Sequence, residues 1–282
     1  MRRAPTSGTV RVDVTPGNAG WGYTGLRVLD LLPGESIEID SGETELIVLP
    51  LRGSADIACE GSEAHLDGRE SVFTAVSDFV YVGRGSTVRI STGGGGRFAL
   101  PSARCERRLP FRHVEARDVS VELRGAGSSS RQVNNFCTPE TFDADRLIAC
   151  EVLTPGGNWS SFPPHKHDEE TAAETSLEEI YYFEVADGPN GAGMAYQRVY
   201  GTSQRPIDIL EEVRTGDVVL IPHGWHGPSI AVPGYDLYYL NAMAGPGDER
   251  AWRICDDPAH GWVRQTWVGQ DVDPRLPLTR AR

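Results

Sequence analysis

Lysine is almost missing from this chain: Lys166 is the only one. With 27 Lys and Arg against 40 Asp and Glu, the formal net charge is −13. Binding a nucleic-acid backbone needs clustered cations, so this balance excludes a nucleic-acid partner. It does not exclude a small anionic substrate, because a metal and a few arginines can overrule the global field locally. No apolar run approaches the roughly 20 residues of a membrane span, so no membrane partner is expected. Met1-Arg2-Arg3-Ala4-Pro5 leads into no apolar stretch, so no signal peptide is evident and a cytoplasmic location is expected. The five cysteines are scattered, odd in number and never spaced Cys-x-x-Cys, which favours reduced thiols over a disulfide framework. No stretch sustains a 3.6-residue period. The run Gly125-Ala126-Gly127-Ser128-Ser129-Ser130 precedes no Gly-Lys-Ser/Thr and opens no helical pattern. It reads as a flexible surface loop, not a phosphate cradle, and no nucleotide cofactor is expected.

What is present is β-structure. The chain has 282 residues, 39% of them hydrophobic, with 32 glycines and 19 prolines. These punctuate short Val/Ile/Leu/Tyr/Phe runs such as Ser36–Ile37, Leu46–Leu51, Val72–Val76, Phe79–Val82 and Thr87–Ile90. The pattern is all-β, with sandwich or barrel character. Short helical turns are expected near Ala251–Ile254 and Pro258–Val263. The two halves run in parallel: Leu32–Glu35 resembles Thr154–Gly157, Glu45–Leu49 resembles Glu179–Phe183, Leu66–Phe73 resembles Val213–Leu220, and Phe79–Val82 resembles Leu237–Leu240. The shared order predicts a duplicated β-barrel unit, residues 1–115 and 116–282, the second copy carrying a C-terminal extension.

The chemistry concentrates in the second copy. Pro163-Pro164-His165-Lys166-His167-Asp168 places two histidines two apart, which on a strand puts both imidazoles on one face. Glu179 opens the next strand-like run, and Gly216 to His226 reads as a turn, a buried strand and a loop delivering a third imidazole. His165, His167, Glu179 and His226 are therefore the candidate ligands of one divalent transition metal, and zinc, manganese, iron or nickel suits three nitrogens and one oxygen. The first copy has only His65 near the equivalent turn and reads as metal-free. On a regular strand Tyr181 shares the face of Glu179, Glu178 faces away, and Tyr239 shares a face with Asn241. Tyr181 and Tyr239 are the candidate catalytic side chains, while Lys166 reads as a surface cation. Arg131, Arg146 and Arg198 are candidates for binding a substrate carboxylate. Asp168, Glu169, Glu170 and Glu174 read as solvated loop charges or as a pocket rim.

These motifs resemble the cupin superfamily: His165-x-His167, then Glu179, then Gly216 through Pro222 and Gly224 to His226. The loop before the glutamate is longer than usual, so Glu178 competes with Glu179 as ligand. The longer stretches Trp159–Asp168, Leu177–Phe183, Pro233–Asn241 and Asp256–His260 resemble the 5-deoxy-glucuronate isomerases of bacterial myo-inositol catabolism, which are similar in turn to the isomerases of 5-keto-4-deoxyuronate. The resemblance implies a bicupin of two jelly-roll barrels. It also implies a metal-dependent aldose–ketose isomerase acting on a small sugar acid, by an enediol or a hydride-shift route. Another metal cupin, such as a dioxygenase, and a non-catalytic sugar-binding cupin are the alternatives. A homo-oligomer is compatible with the sequence.

Overall fold

The computed structural model describes residues 8–281, so the N-terminal stretch Met1–Pro5 read above lies outside the described residues. In the first half the strands are β1 (Val10–Val14), β2 (Thr24–Leu31), β3 (Ser36–Asp40), β4 (Thr44–Cys59), β5 (Ser62–Arg69), β6 (Phe79–Val82), β7 (Thr87–Ser91), β8 (Gly96–Arg104) and β9 (Arg112–Val114). The second half has β10 (Ser120–Arg124), β11 (Arg131–Cys137), β12 (Ile148–Thr154), β13 (Trp159–Ser160), β14 (His165–Lys166), β15 (Glu178–Val185) and β16 (Ala195–Tyr200). It continues with β17 (Asp208–Val213), β18 (Val218–Ile221), β19 (Trp225–Ala231), β20 (Leu237–Ala244) and β21 (Cys255–Asp256). Two single-turn helices, α1 (Pro16–Ala19) and α2 (Val263–Thr266), and two 3-10 turns, Ala116–Asp118 and Gly127–Ser129, complete the elements.

Every strand pairing is antiparallel. One sheet of the first half runs β1-β2-β8-β4-β6-β9, and the long β4 bends out of it to pair with β5 and β7. The second half has a sheet β10-β11-β12-β20-β15-β18 facing another, β17-β16-β19-β14-β21. This is the predicted bicupin. The internal repeat is real, but its register differs from the sequence reading. By place in the sheet, β2, β8, β4 and β6 correspond to β12, β20, β15 and β18. Phe79–Val82 therefore matches Val218–Ile221 and not Leu237–Leu240. Leu46 pairs with Val82 as Glu179 pairs with Ile221, so Glu45 corresponds to Glu178.

The central strands β4, β15 and β20 are largely buried on both faces, and period-2 alternation sorts their side chains. On β4, Leu46 and Val48 fill the first barrel while Ile47 and Leu49 face the second half. On β15, Tyr181 and Phe183 line the second barrel while Ile180 and Tyr182 join the shared core. Two carboxylates lock the halves reciprocally. Glu45 accepts the backbone N–H groups of Asp145, Arg146 and Leu147 at 2.8, 2.6 and 2.7 Å. Glu178 accepts those of Gly22, Tyr23 and Thr24 at 2.6, 2.8 and 3.0 Å. A buried Arg69–Glu151 ion pair adds a third link, with Tyr238 donating to Glu151 at 2.8 Å.

Three local expectations fail. Val72–Val76 is an irregular segment, its valines buried because they plug the shared core. Ala251–Ile254 forms no helical turn. The turn predicted over Pro258–Val263 is hydrogen-bonded, but its helical residues are Val263–Thr266.

Candidate metal centre

The strands bring the predicted residues to one place. His165 on β14 sits opposite His226 on β19, in register. The strand expected to carry both first histidines is only two residues long, so His167 lies just past its end, and His226 sits on a strand, not in a loop. Glu179 projects from β15 on the same face as Tyr181. His167, Glu179 and His226 converge, each offering a ligand atom within 4.8 Å of the others. His165 flanks this group, its ring centroid 4.5 Å from that of His226 and 6.3 Å from that of His167. All four are buried, at 9% exposure or less.

The contacts suit metal ligation. Glu179 Oε2 lies 3.1 Å from His167 Nε2 and 3.0 Å from His226 Nε2. His226 Nε2 is nevertheless a buried nitrogen without a hydrogen bond, as a nitrogen reserved for a metal would be. His226 Nδ1 is 3.2 Å from the Gly224 carbonyl and His165 Nδ1 is 3.4 Å from the Pro163 carbonyl. Donation there leaves each Nε2 as a free lone pair, the tautomer a ligand needs. Asn241 Nδ2 donates to Glu179 Oε1 at 2.6 Å and fixes the carboxylate.

Burial raises the Glu179 carboxyl, but the flanking His226 and His167 outweigh it and hold it down at about 2. Burial and the two other imidazoles drive His165 well below its ordinary value, so it is neutral. Burial also pulls His167 down, but the Glu179 carboxylate overrides this and the net shift is upward.

Lys166 points away from the centre, as its position between the two histidines requires. It is not the expected surface cation: its Nζ contacts Asp168 at 2.8 Å and both Glu174 oxygens at 2.9 Å, with the side chain 13% exposed. Asp168 Oδ2 also accepts the Gly224 N–H at 2.9 Å. The loop read as solvated charge is thus partly structural. It ties the first two histidines to the turn before the third, while Glu169 and Glu170 stay exposed.

A cavity of about 550 Å³ opens beside the group, lined by His165, Glu179, Tyr181, Tyr239 and Asn241. Ser161 Oγ sits 3.1 Å from the hydroxyls of both Tyr181 and Tyr239. Ser161 holds φ at 45°, a left-handed value that costs a non-glycine residue energy. Gly227 makes room for it, since a Cβ there would sit 1.8 Å from the Ser161 carbonyl oxygen. Burial, followed by the Glu179 charge, pushes the Tyr181 phenol well above its ordinary value; burial raises Tyr239 too. Of the three arginine candidates only Arg131 reaches the cavity; Arg198 pairs with Asp208, and Arg146 is bound to the Gly247 carbonyl. Sequence reasoning missed Ser161, Arg124 and Arg264, which carry no motif of their own. In the first half, His65 is an exposed residue paired with Asp56 at 2.7 Å.

A model of the KduI/IolB family matches residues 1–263. The chain belongs to the KduI/IolB family. It is 40% identical over 258 residues to a 5-deoxy-glucuronate isomerase of Geobacillus kaustophilus (strain HTA426), covering 90% of this chain and 91% of that one. A solved IolB-like protein from Salmonella typhimurium LT2 superposes with a TM-score of 0.86 at 34% identity, covering 93% of this chain and 98% of that one. An oxalate decarboxylase from Lactobacillus farciminis, in a formate complex, reaches a TM-score of 0.63 at 13% identity, over 91% and 88% of the two chains. That last likeness is one of fold alone. This KduI/IolB family member is thus built as a bicupin, as the resemblance from Trp159 to Phe183 implied. Among its described residues no helix is long and apolar enough to cross a membrane.

Proposed function

We propose that this chain is a metal-dependent aldose–ketose isomerase converting 5-deoxy-glucuronate into 5-dehydro-2-deoxy-gluconate in inositol catabolism. Residues 1–115 would form a metal-free barrel and residues 116–282 the working one. The observation that carries the reading is the convergence of His167, Glu179 and His226 beside a cavity, in a chain 40% identical to a 5-deoxy-glucuronate isomerase. His165 completes the ligand set of one divalent transition metal. When bound, such an ion supplies a Lewis acid to the adjacent carbonyl and hydroxyl oxygens of the sugar.

The reaction moves one hydrogen from C2 to C1 and one proton from O2 to O1, so it balances without a co-reactant. Tyr181, Ser161 and Tyr239 form a continuous chain of hydroxyls on the cavity wall. Their raised phenols stay protonated at neutral pH, which suits them to donate to a substrate oxygen and to relay its proton rather than to act as phenolate bases. Asn241 keeps the Glu179 carboxylate oriented while this happens.

Metal analysis of the purified protein joined to an isomerase assay tests the reading. Chelation should abolish turnover and a divalent metal should restore it. The His226→Ala variant should lose metal affinity by roughly tenfold or more, since loss of a ligand should do at least what loss of a ligand's hydrogen-bond partner does. A metal-loaded, folded protein that leaves 5-deoxy-glucuronate untouched would remove the assignment.

A further inference from the structure

Three arginines line the cavity: Arg124, Arg131 and Arg264. Two of them have carboxylates of their own. Arg124 holds Glu122 through Nε at 3.0 Å and Nη2 at 2.7 Å, and Arg264 holds Asp256 in the same two-pronged way at 2.5 and 2.7 Å. Arg131 differs. It is only 6% exposed, yet among the described residues no carboxylate pairs with it. Its one hydrogen bond runs from Nη1 to the Ser129 carbonyl at 3.0 Å. A buried charge without a counter-ion is costly, and proteins keep one where something else supplies the partner.

The local structure is shaped to hold this guanidinium. Arg131 opens β11 directly after the Gly/Ser run, which is no loose loop: it forms a tight hairpin turn with Ser129 and Ser130 buried. Gly125 lies at φ 80°, and a Cβ there would meet the Ser129 oxygen at 2.3 Å and Arg131 Nη1 at 2.7 Å. The guanidinium also lies over the Trp267 ring, 5.7 Å from its centroid. Burial pulls Arg131 down to about 10, which leaves it charged at neutral pH.

We infer that Arg131 is the anchor of a carboxylate subsite, binding the acid group of the sugar whose other end is held at the His167–Glu179–His226 centre. This rests on the isomerase reading for the identity of the sugar. The planar fork of an arginine matches a carboxylate bidentately, as the Arg124 and Arg264 pairs beside it illustrate. Dimensions agree as well. Strand β11 is three positions from β15 in the sheet, roughly 14 Å at the usual spacing. An arginine side chain reaching inward and a six-carbon acid together span that gap.

The test compares 5-deoxy-glucuronate with its neutral counterpart 5-deoxy-glucose in wild type, Arg131→Met and Arg131→Lys, at equal metal content and with melting temperatures recorded. Wild type should prefer the acid, and R131M should raise the KM for the acid by about ten- to a hundredfold, collapsing that preference. R131K, which keeps the charge but not the fork, should fall between. No acid preference in wild type, or parallel changes for acid and neutral sugar in the variants, overturns the inference. If R131M does not fold, R131K carries the same readout. Calorimetric titration with D-glucuronate and D-glucose separates this proposal from the reaction assignment. Glucuronate binding by wild type that weakens in the variants supports the subsite even where turnover is absent. Equal binding of the two sugars, or glucuronate binding indifferent to position 131, overturns it.

Discussion

Glutamine substitution at Glu178 and Glu179, one at a time, tests whether neighbouring carboxylates on β15 serve opposite faces. The Glu178 carboxylate accepts three backbone N–H groups of the first half, at 2.6, 2.8 and 3.0 Å. A hydrogen bond to a charged group contributes about 1.5–3 kcal/mol. The three share one carboxylate, and Gly22 and Tyr23 are only half-buried. E178Q should therefore lose about 2–4 kcal/mol, less than the simple sum, and melt roughly 3–7 °C lower. Its metal content should match wild type. E179Q removes the charge toward which His167 and His226 converge, and should weaken metal binding by about a hundredfold. Glu179 holds the His167 imidazolium, which can shed its proton once that charge is gone, so metal-free E179Q should lose less stability than E178Q. Thermal melts of the metal-free variants, with elemental analysis after reloading, give both readings. An E178Q protein that melts like wild type, or that loses metal as E179Q does, would refute the assignment of faces.

Replacing Lys166 with methionine should strip Asp168 and Glu174 of their shared cation. An unfolding free energy lower by about 2–4 kcal/mol is expected, together with weaker metal uptake, because Asp168 also holds the Gly224 turn. Urea titration beside metal analysis checks both, and a variant as stable as wild type would show the cage to be dispensable. Burial raises the Asp30 carboxyl, but Arg97 and Arg11 outweigh it and hold it below its ordinary 3.8. A depressed carboxyl contributes its full stability above its unfolded value and loses it as pH falls through the lower folded one. Wild type should thus exceed D30N by about 1 kcal/mol at pH 7, and that gap should close as pH falls below about 4. A gap that widens in acid would reverse the sign.

Much of this site was legible because strand parity is a rigid rule. Glu179 with Tyr181, Tyr239 with Asn241, and Glu178 turned away all follow from a period of two, and all occupy the faces expected of them. What parity cannot supply is which strand lies beside which. Local likeness aligns Phe79–Val82 with β20, whereas its place in the sheet is that of β18. Charge was misjudged for the same reason. The acidic loop after His167 looks solvated in sequence, and only the fold folds Asp168 and Glu174 back onto Lys166. Arg131 carried no more signal than Arg146 or Arg198. Its distinction lies in having no carboxylate paired with it among the described residues, and that is a property of the packed structure.

The duplication lets the two barrels differ inside while they share one contact. Each copy has two faces to satisfy. Toward the other copy, both retain the same device: Glu45 and Glu178 occupy equivalent places, and each caps three N–H groups across the boundary. Toward the barrel interior they diverge. Where the second copy has Glu179 and Tyr181, the first has Leu46 and Val48, and its interior is closed by apolar side chains. A substitution on the inward face leaves the outward face untouched, because adjacent residues of a strand never share a side. A packed apolar interior in the first copy is therefore compatible with the contact that positions β15. The second copy carries the opposite burden, a buried cluster of imidazoles and carboxylate that an apolar core would not tolerate alone, and it is held in register by a partner that has no such cluster to accommodate.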